Sequence, residues 1–362
     1  MRSNITLKEI AYIHDLSIST ISKALNDSAE ISIRTKEKVK ETAKAYNYRP
    51  NSIARNLKCN RSYTIGVIVP ELSTPFFQQV MEGIMEESIK NDYKIMMYPS
   101  KGSHRKEAFL AGMLTDGSID GLILSMADET IAKKKYRYLE ELLNTNFPIV
   151  LLNNTRHDID CDSVFVDYEN CGFMAARKLI KKKRTHILLL TEDNLSGEEW
   201  ENGFRKAILD NEQRIQDHPT VAIGKEEDAH RRIEMILAQY PKLDGIVVQN
   251  EKFATLLEAI LKGNAKKNIA VVHYVKDTMT LPEQIRAGIS YMTSDYLKLG
   301  EEATKTILRK IKKNKKEITR KSMQAFFVDR DPKMCKTGDF MENFVSISHF
   351  QNNEGIPCID TL

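Results

Sequence analysis

The sequence predicts an all-α helix-turn-helix head followed by an α/β core of two lobes, each a parallel sheet flanked by helices. Three observations carry that prediction. Capping residues precede three short amphipathic stretches within the first fifty positions. After Ser62 short apolar runs alternate with amphipathic stretches, the pattern of repeated β-α units. The charge balance changes at the same place. Residues 1–62 carry 12 Lys and Arg against 6 Asp and Glu, whereas the whole chain carries 54 against 50. The basic excess therefore belongs to the head, and a basic head on a near-neutral body is the electrostatic footprint of a nucleic-acid-binding module.

Thr6 caps the first helix, with Glu9 completing a capping box and Ile5 and Ile10 placed for a hydrophobic staple, so the helix starts at Leu7. His14-Asp15 is a polar break. Ser17 caps a second short helix whose inward face is Ile21, Ala24 and Leu25, and two short helices joined by a tight turn form a helix-turn-helix. Its outward face carries Ile18, Ser19, Ser22 and Lys23, with Ser17 and Thr20 near its start. Small hydroxyl side chains let a helix approach phosphates and base edges, and Lys23 can reach a guanine edge or a phosphate. Ser32 caps a third helix with Val39, Ala43 and Tyr46 as its buried stripe and Arg34, Lys36, Lys38, Lys40 and Lys44 toward solvent. Thr6, Asn26, Ser32 and Tyr48 complete the candidate DNA contacts of the head.

Tyr48-Arg49-Pro50-Asn51, with Ala54-Arg55 and Leu57, and Ile65-Gly66-Val67-Ile68-Val69-Pro70 followed by Pro75-Phe76-Phe77, resemble the LacI-type (lactose/galactose-repressor) family of bacterial transcription regulators. The resemblance covers residues 5 to about 330. It implies a hinge helix at about 51–57 that orders when two copies meet on DNA. Asn51, Ala54, Arg55 and Leu57 are its candidate contacts. Leu57 matches a leucine wedge in the minor groove and Ala54 a small residue allowing close approach; an apolar wedge unstacks a base step and kinks the duplex. The alternative is a Leu57 that merely links head to core. Ile18 and Ser19 fall where family members vary, and Lys23 falls where many have arginine, a better bidentate partner for guanine.

In the body, the strand-like runs are 64–69, 94–98, 121–125 and 149–152, then 187–190, 220–223, 245–248, 269–274 and 289–292. Helical stretches intervene at 76–90, 168–182, 198–211, 254–261 and 297–312. So long a body exceeds one core, and two lobes are expected. Ligands of open α/β sheets sit beyond the carboxyl ends of the strands, so facing lobes make a cleft. The resemblance implies the same periplasmic-binding-protein-like arrangement, with the chain crossing between lobes more than once. The expected organisation is head 1–50, hinge helix and linker 51–62, core 63–336, and a C-terminal extension 337–362. Lobe one takes about 63–160 and 293–322; lobe two takes about 161–292 and 323–336.

Correspondence with the family places candidate effector contacts at Ser73, Phe76, Phe77 and Asn153 in the first lobe, Trp200, Asn250, Tyr274 and Val275 in the second, and Ser294 on a crossover. A few placed polar groups around an aromatic wall are how small-ligand sites are built. Two positions depart from the family. Trp200 stands where an arginine is common, and Val275 ends a His273-Tyr274-Val275 run where the family commonly carries an aspartate. An effector then stacks on Trp200, or is unusual, or is absent, with Trp200 packing in a helix. His273 reads as a buried histidine with its hydrogen bonds satisfied, and Glu251 as the cap of the following helix.

Met1-Arg2-Ser3-Asn4 leads straight into the first helix without a secretory signal, and no apolar run is long enough to span a bilayer. Cys59, Cys161, Cys171, Cys335 and Cys358 are an odd set without paired spacing, as expected of reduced thiols in a cytoplasm. There is no Gly-rich phosphate loop, no metal-ligand cluster and no Ser/His/Asp arrangement, so neither a cofactor nor an enzyme activity is expected. The expectation is a cytoplasmic homodimer, nucleoid-associated when bound to double-stranded operator DNA, acting as a repressor with its affinity set by a sugar-like small molecule. The alternative replaces that effector with a protein co-regulator; an enzyme on the α/β core is the remote third.

Overall fold

The computed structural model describes residues 5–48, 61–155, 159–211, 215–224, 228–263, 269–276, 288–313 and 317–328. The hinge residues Asn51, Ala54, Arg55 and Leu57, the cysteines Cys59, Cys335 and Cys358, and the 337–362 extension lie outside them.

The head is three helices, α1 (Leu7–His14), α2 (Ile18–Leu25) and α3 (Ile33–Ala45). Thr6 and Glu9 form the reciprocal capping box, and Asp15 ends α1 in the left-handed region at φ 49°. Ser17 and Ser32 cap α2 and α3 by accepting from Thr20 N and Thr35 N. Ile10, Ala11, Ile21, Ala24, Val39 and Ala43 make the small core, with Ile5, Leu25 and Tyr48 packed on it. Tyr46 is the exception to the expected stripe, at 57% exposure. The helix ends at Ala45, so helical spacing no longer sets the direction of the next side chain, and Tyr48 covers the core instead.

Among the described residues the body forms two six-stranded sheets. In chain order its elements are β1 (Thr64–Val69), α4 (Pro75–Lys90), β2 (Lys94–Pro99), α5 (His104–Leu114), β3 (Gly121–Leu124), α6 (Asp128–Ala132), α7 (Arg137–Asn144), β4 (Ile149–Leu152) and β5 (Asp162–Val166). Then follow α8 (Tyr168–Lys181), β6 (Ile187–Glu192), α9 (Leu195–Leu209), β7 (Thr220–Ile223), α10 (Ala229–Gln239), β8 (Gly245–Val248), α11 (Glu251–Gly263), β9 (Ala270–Tyr274), β10 (Ile289–Ser294), α12 (Tyr296–Lys313), β11 (Arg320–Met323) and β12 (Ala325–Val328). The first sheet runs β11-β5-β4-β3-β1-β2 and the second β12-β10-β9-β8-β6-β7. All described pairings within them are parallel except β10 with β12.

The lobe boundaries sit later than the sequence suggests. β5 belongs to the first sheet, so the chain crosses at Asp167 and not after residue 160. β10 stays in the second sheet to Ser294, and β11 and β12 hand over across Gln324. β5 and β11 escaped notice because they begin on polar residues, Asp162-Ser163 and Arg320-Lys321, where pairing rather than an apolar run makes the strand.

Each lobe packs one pair of helices backbone against backbone. In the second lobe α8 and α9 meet at Gly172 and Gly203, where an added Cβ would collide with the carbonyl oxygens of Trp200 and Glu169. In the first lobe α4 and α12 meet at Gly83 and Gly300, facing the carbonyls of Leu297 and Val80. Each of these helices begins just after a strand ends, β1 for α4, β5 for α8, β6 for α9 and β10 for α12, so their N-terminal ends lie at the carboxyl ends of the strands, where the cleft is expected.

Candidate DNA-reading face and inter-lobe cleft

On α2, Ile18, Ser19 and Lys23 are exposed and Ser22 is half-buried, while Ile21 and Ala24 are buried. The expected outward face is therefore a continuous surface. Ser17 Oγ lies 2.7 Å from Ser19 Oγ and 2.8 Å from Thr20 Oγ1, a hydroxyl cluster at the helix start. Other candidates have structural duties. The Thr6 backbone N–H at 2.7 Å, and then its hydroxyl at 2.8 Å, donate to Glu9 and hold the Glu9 carboxyl below its usual range. Ser32 is engaged by Thr35 N at 3.2 Å, and Asn26 Nδ2 folds back on Ser22 O at 2.8 Å. Tyr48 is half-buried against the head core, and burial raises its pKa. Lys23 pairs with Glu30, a partner that sequence spacing did not suggest.

Of the candidate cleft residues, Phe76, Phe77, Trp200, Tyr274 and Ser294 come together around a run of aromatic rings, with Asn153 joined to it through Tyr168, whereas Ser73, Asn250 and Val275 are engaged elsewhere. Phe76 lies 4.8 Å from Phe77 and 5.0 Å from Tyr296, edge-on in both cases. The Tyr296 and Tyr274 hydroxyls are 2.7 Å apart, and the Tyr274 hydroxyl is 2.9 Å from Ser294 Oγ. Trp200 meets Tyr274 edge-on at 5.1 Å, and Tyr168 does so at 6.4 Å. All six rings are buried, with exposures of 8% or less. Burial drives the Tyr274 and Tyr296 hydroxyls far above the ordinary phenol range. Offset and edge-on rings of this kind contribute beyond their buried area.

The polar candidates also have partners within the protein. Asn153, at φ 53°, accepts from Val166 N at 3.3 Å and donates to the Tyr168 hydroxyl at 3.4 Å. Asn250 accepts from Phe253 N at 3.0 Å and donates to Glu192 at 2.6 Å. Asn250 is thus the cap of α11, not Glu251 as expected; an asparagine places its oxygen at the helix start better than a glutamate does. Glu251 instead accepts from Lys276 N at 2.5 Å, tying α11 to the end of β9. Val275 is buried and donates its N–H to Met292 O at 2.8 Å. Ser73 is exposed, with its hydroxyl donating to Glu71 at 3.3 Å. Besides the Asn153–Tyr168 and Tyr274–Tyr296 bonds, further contacts bridge the lobes: Gln79 Nε2 donates to Lys276 O at 3.0 Å, and the Thr155 hydroxyl donates to Glu199.

Sequence reading missed Tyr168, Tyr296, Gln79 and Thr155. A signal for the first two was present. Asp167-Tyr168 and Asp295-Tyr296 repeat one dipeptide at two of the crossings, and each aspartate caps the helix that follows, accepting from Asn170 N and Lys298 N at 2.9 Å.

A family model described as bacterial regulatory proteins, lacI family, matches residues 6–51. A second, described as periplasmic binding proteins and sugar binding domain of LacI family, matches residues 62–331. The chain belongs to the LacI family. The HTH-type transcriptional repressor PurR of Aliivibrio fischeri is 30% identical over 207 residues, 57% of this chain and 60% of that protein, so that match spans less than two thirds of the relative. Catabolite control protein A of Priestia megaterium is 23% identical over 86% of this chain and 93% of its own length. The ribose operon repressor of Bacillus subtilis is 27% identical over 90% and 97%. Among solved structures, the lac repressor dimer bound to operator and an anti-inducer superposes with a TM-score of 0.73 at 18% identity, over 91% of this chain and 98% of that one. The regulator CelR with cellobiose gives 0.62 at 19%, over 91% and 99%. At these identities the structures speak for the fold.

Within this LacI-family core, Trp200 lies in the apolar interior with its Nε1 unpartnered among the described residues. His273 corrects a further expectation. It is buried beside Tyr291, but neither ring nitrogen has a hydrogen-bond partner among the described residues. It lies on β9, between Val248 of β8 and Tyr291 of β10. Burial lowers its pKa from 6.5 to about 4. Folding therefore favours the neutral ring. Its contribution is complete above pH 6.5 and is lost as pH falls toward 4, at about 1.4 kcal/mol per unit. Urea unfolding at steps across this window is expected to show that acid limb, and His273→Phe to flatten it. A limb unchanged in His273→Phe would assign it to other groups. A 430 Å³ cavity lies elsewhere on this LacI-family core, on the α8–α9 side of the second lobe, lined by Phe173, Arg177, Ile180, Lys181, Asp210 and Asn211.

Proposed function

We propose that the protein is a cytoplasmic, homodimeric, operator-binding transcription repressor whose affinity for DNA is set by a small molecule, a sugar or sugar derivative, taken between the two lobes. The observation that carries the DNA reading is the exposed Ile18, Ser19 and Lys23 face of α2 on a head whose three helices are each capped and packed. A helix presented in this way enters a major groove, with the head's basic excess meeting the phosphates. The relatives described as repressors support the direction of control.

A dimer is supported by an apolar surface at the open edge of the first sheet. β2 is an edge strand with Met96, Met97 and Tyr98 exposed, and Met85 and Ile89 of α4 are exposed beside it. Edge strands with apolar side chains invite pairing, and a second copy is the occupant that a two-fold operator requires. The lac repressor relative is a dimer on its operator. No helix among the described residues is long and apolar enough to cross a membrane.

Sedimentation of the wild type and of Met97→Arg tests the dimer, the variant being expected to shift toward monomer and to lose operator affinity. Calorimetric titration with a panel of sugars, sugar acids, sugar phosphates and nucleosides tests the effector. A binder must change operator affinity, and operator DNA must change its affinity by the same factor. Silence across the panel would remove the small-molecule part and leave the DNA reading standing.

A further inference from the structure

Lys23 is the only cation in α2, and it does not stand free toward solvent: it is paired with Glu30 on the loop before α3. The pairing is prepared by the backbone. Ser28 N donates to Lys23 O at 3.0 Å, folding the loop back over the turn of α2 that carries the lysine. Asp27 turns the chain at φ 55°, and Ile31 N closes the loop on Ser28 O at 3.2 Å. The same loop engages the third helix, with Asp27 accepting from Lys40 at 2.5 Å and its carbonyl from Lys36 at 3.2 Å. The other outward groups of α2 are neutral, so Glu30 cancels the charge of the reading helix.

We propose that Glu30 is a specificity-determining residue: it holds the Lys23 ammonium in an internal ion pair, which only DNA offering a well-placed base acceptor draws apart. Both side chains are largely exposed, at 47% and 67%, so the pair exchanges readily and its effect is modest. On random DNA the lysine meets phosphates alone, and the neighbouring carboxylate offsets that attraction. On the operator a base edge in the major groove replaces the carboxylate as partner. Opening the pair costs the operator complex the pair's full strength, whereas on random DNA the pair stays closed, so Glu30 weakens specific binding more than non-specific binding. This inference rests on α2 being the reading helix of the proposed function.

The test uses the full-length protein, a duplex selected from a random pool by the wild type, and an unselected duplex, with affinities measured by anisotropy across a salt series. Glu30→Gln is expected to tighten binding to the selected duplex about five-fold, the upper scale of an exposed pair, and to the unselected duplex two-fold or less, widening the ratio. Its salt dependence on unselected DNA should steepen by about one in log–log slope, as Lys23 joins the counterion exchange. Glu30→Gln should be silent in a Lys23→Ala background. Equal tightening on both duplexes, no tightening, or a gain that survives in Lys23→Ala overturns the proposal. Lys23→Ala with unchanged affinity for the selected duplex would remove α2 as the reading helix. A weakened Lys23→Ala with a silent Glu30→Gln would overturn the role of Glu30 alone.

Discussion

Trp200→Ala is expected to lower the unfolding free energy by about 3–5 kcal/mol, the range for removing a large buried aromatic. The indole has 0% exposure, stacks edge-on against Tyr274, and stands on the α8–α9 crossing where its own carbonyl faces Gly172. Helices locked backbone to backbone have little freedom to collapse into the space left, so the cavity persists. Urea denaturation of the two proteins measures the difference. A loss under about 1 kcal/mol would mean that the ring is not in the core and faces an open cleft instead. Trp200 is the only tryptophan, so emission reports on it directly. A blue-shifted spectrum in the ligand-free protein is the companion result.

The second large effect concerns DNA. Operator affinity is expected to fall by about 10³–10⁵ between 50 and 200 mM salt, the loss for six to ten neutralised phosphates. Residues 1–62, with 12 basic against 6 acidic residues and doubled in a dimer, have the charge for that many contacts. Anisotropy titrations at four salt concentrations yield the slope. A flat response would separate the basic head from DNA binding and overturn the central reading.

Local signals in the sequence were legible where chemistry and geometry act over a few residues. Thr6, Ser17 and Ser32 cap the helices they were expected to cap, and the apolar runs of β1, β3, β4 and β8 are strands. Tyr46 was misplaced because the helix stopped one residue earlier. Glu251 was misread because the better cap, Asn250, stood immediately before it with an apparent ligand-binding role. For the cleft, the sequence pointed to candidate positions, not contacts. Asn153 with Tyr168, Tyr274 with Tyr296, and Gln79 with Lys276 O are pairings between distant elements, set by how the lobes close. The hydrophobic pattern also hides His273, because a histidine on a buried strand looks the same with or without a hydrogen-bond partner.

The aromatic run has a consequence for how the core comes apart. Phe76 from the first lobe, Tyr296 at the crossover, and Tyr274 and Trp200 from the second belong to one uninterrupted buried cluster. Lobes joined only by flexible crossings would melt separately, each on its own core. A shared core makes loss of one lobe expose the apolar surface of the other, so the two are driven toward a single cooperative transition. A defect at Trp200 is then felt in both lobes, although each also keeps a buried cluster of its own.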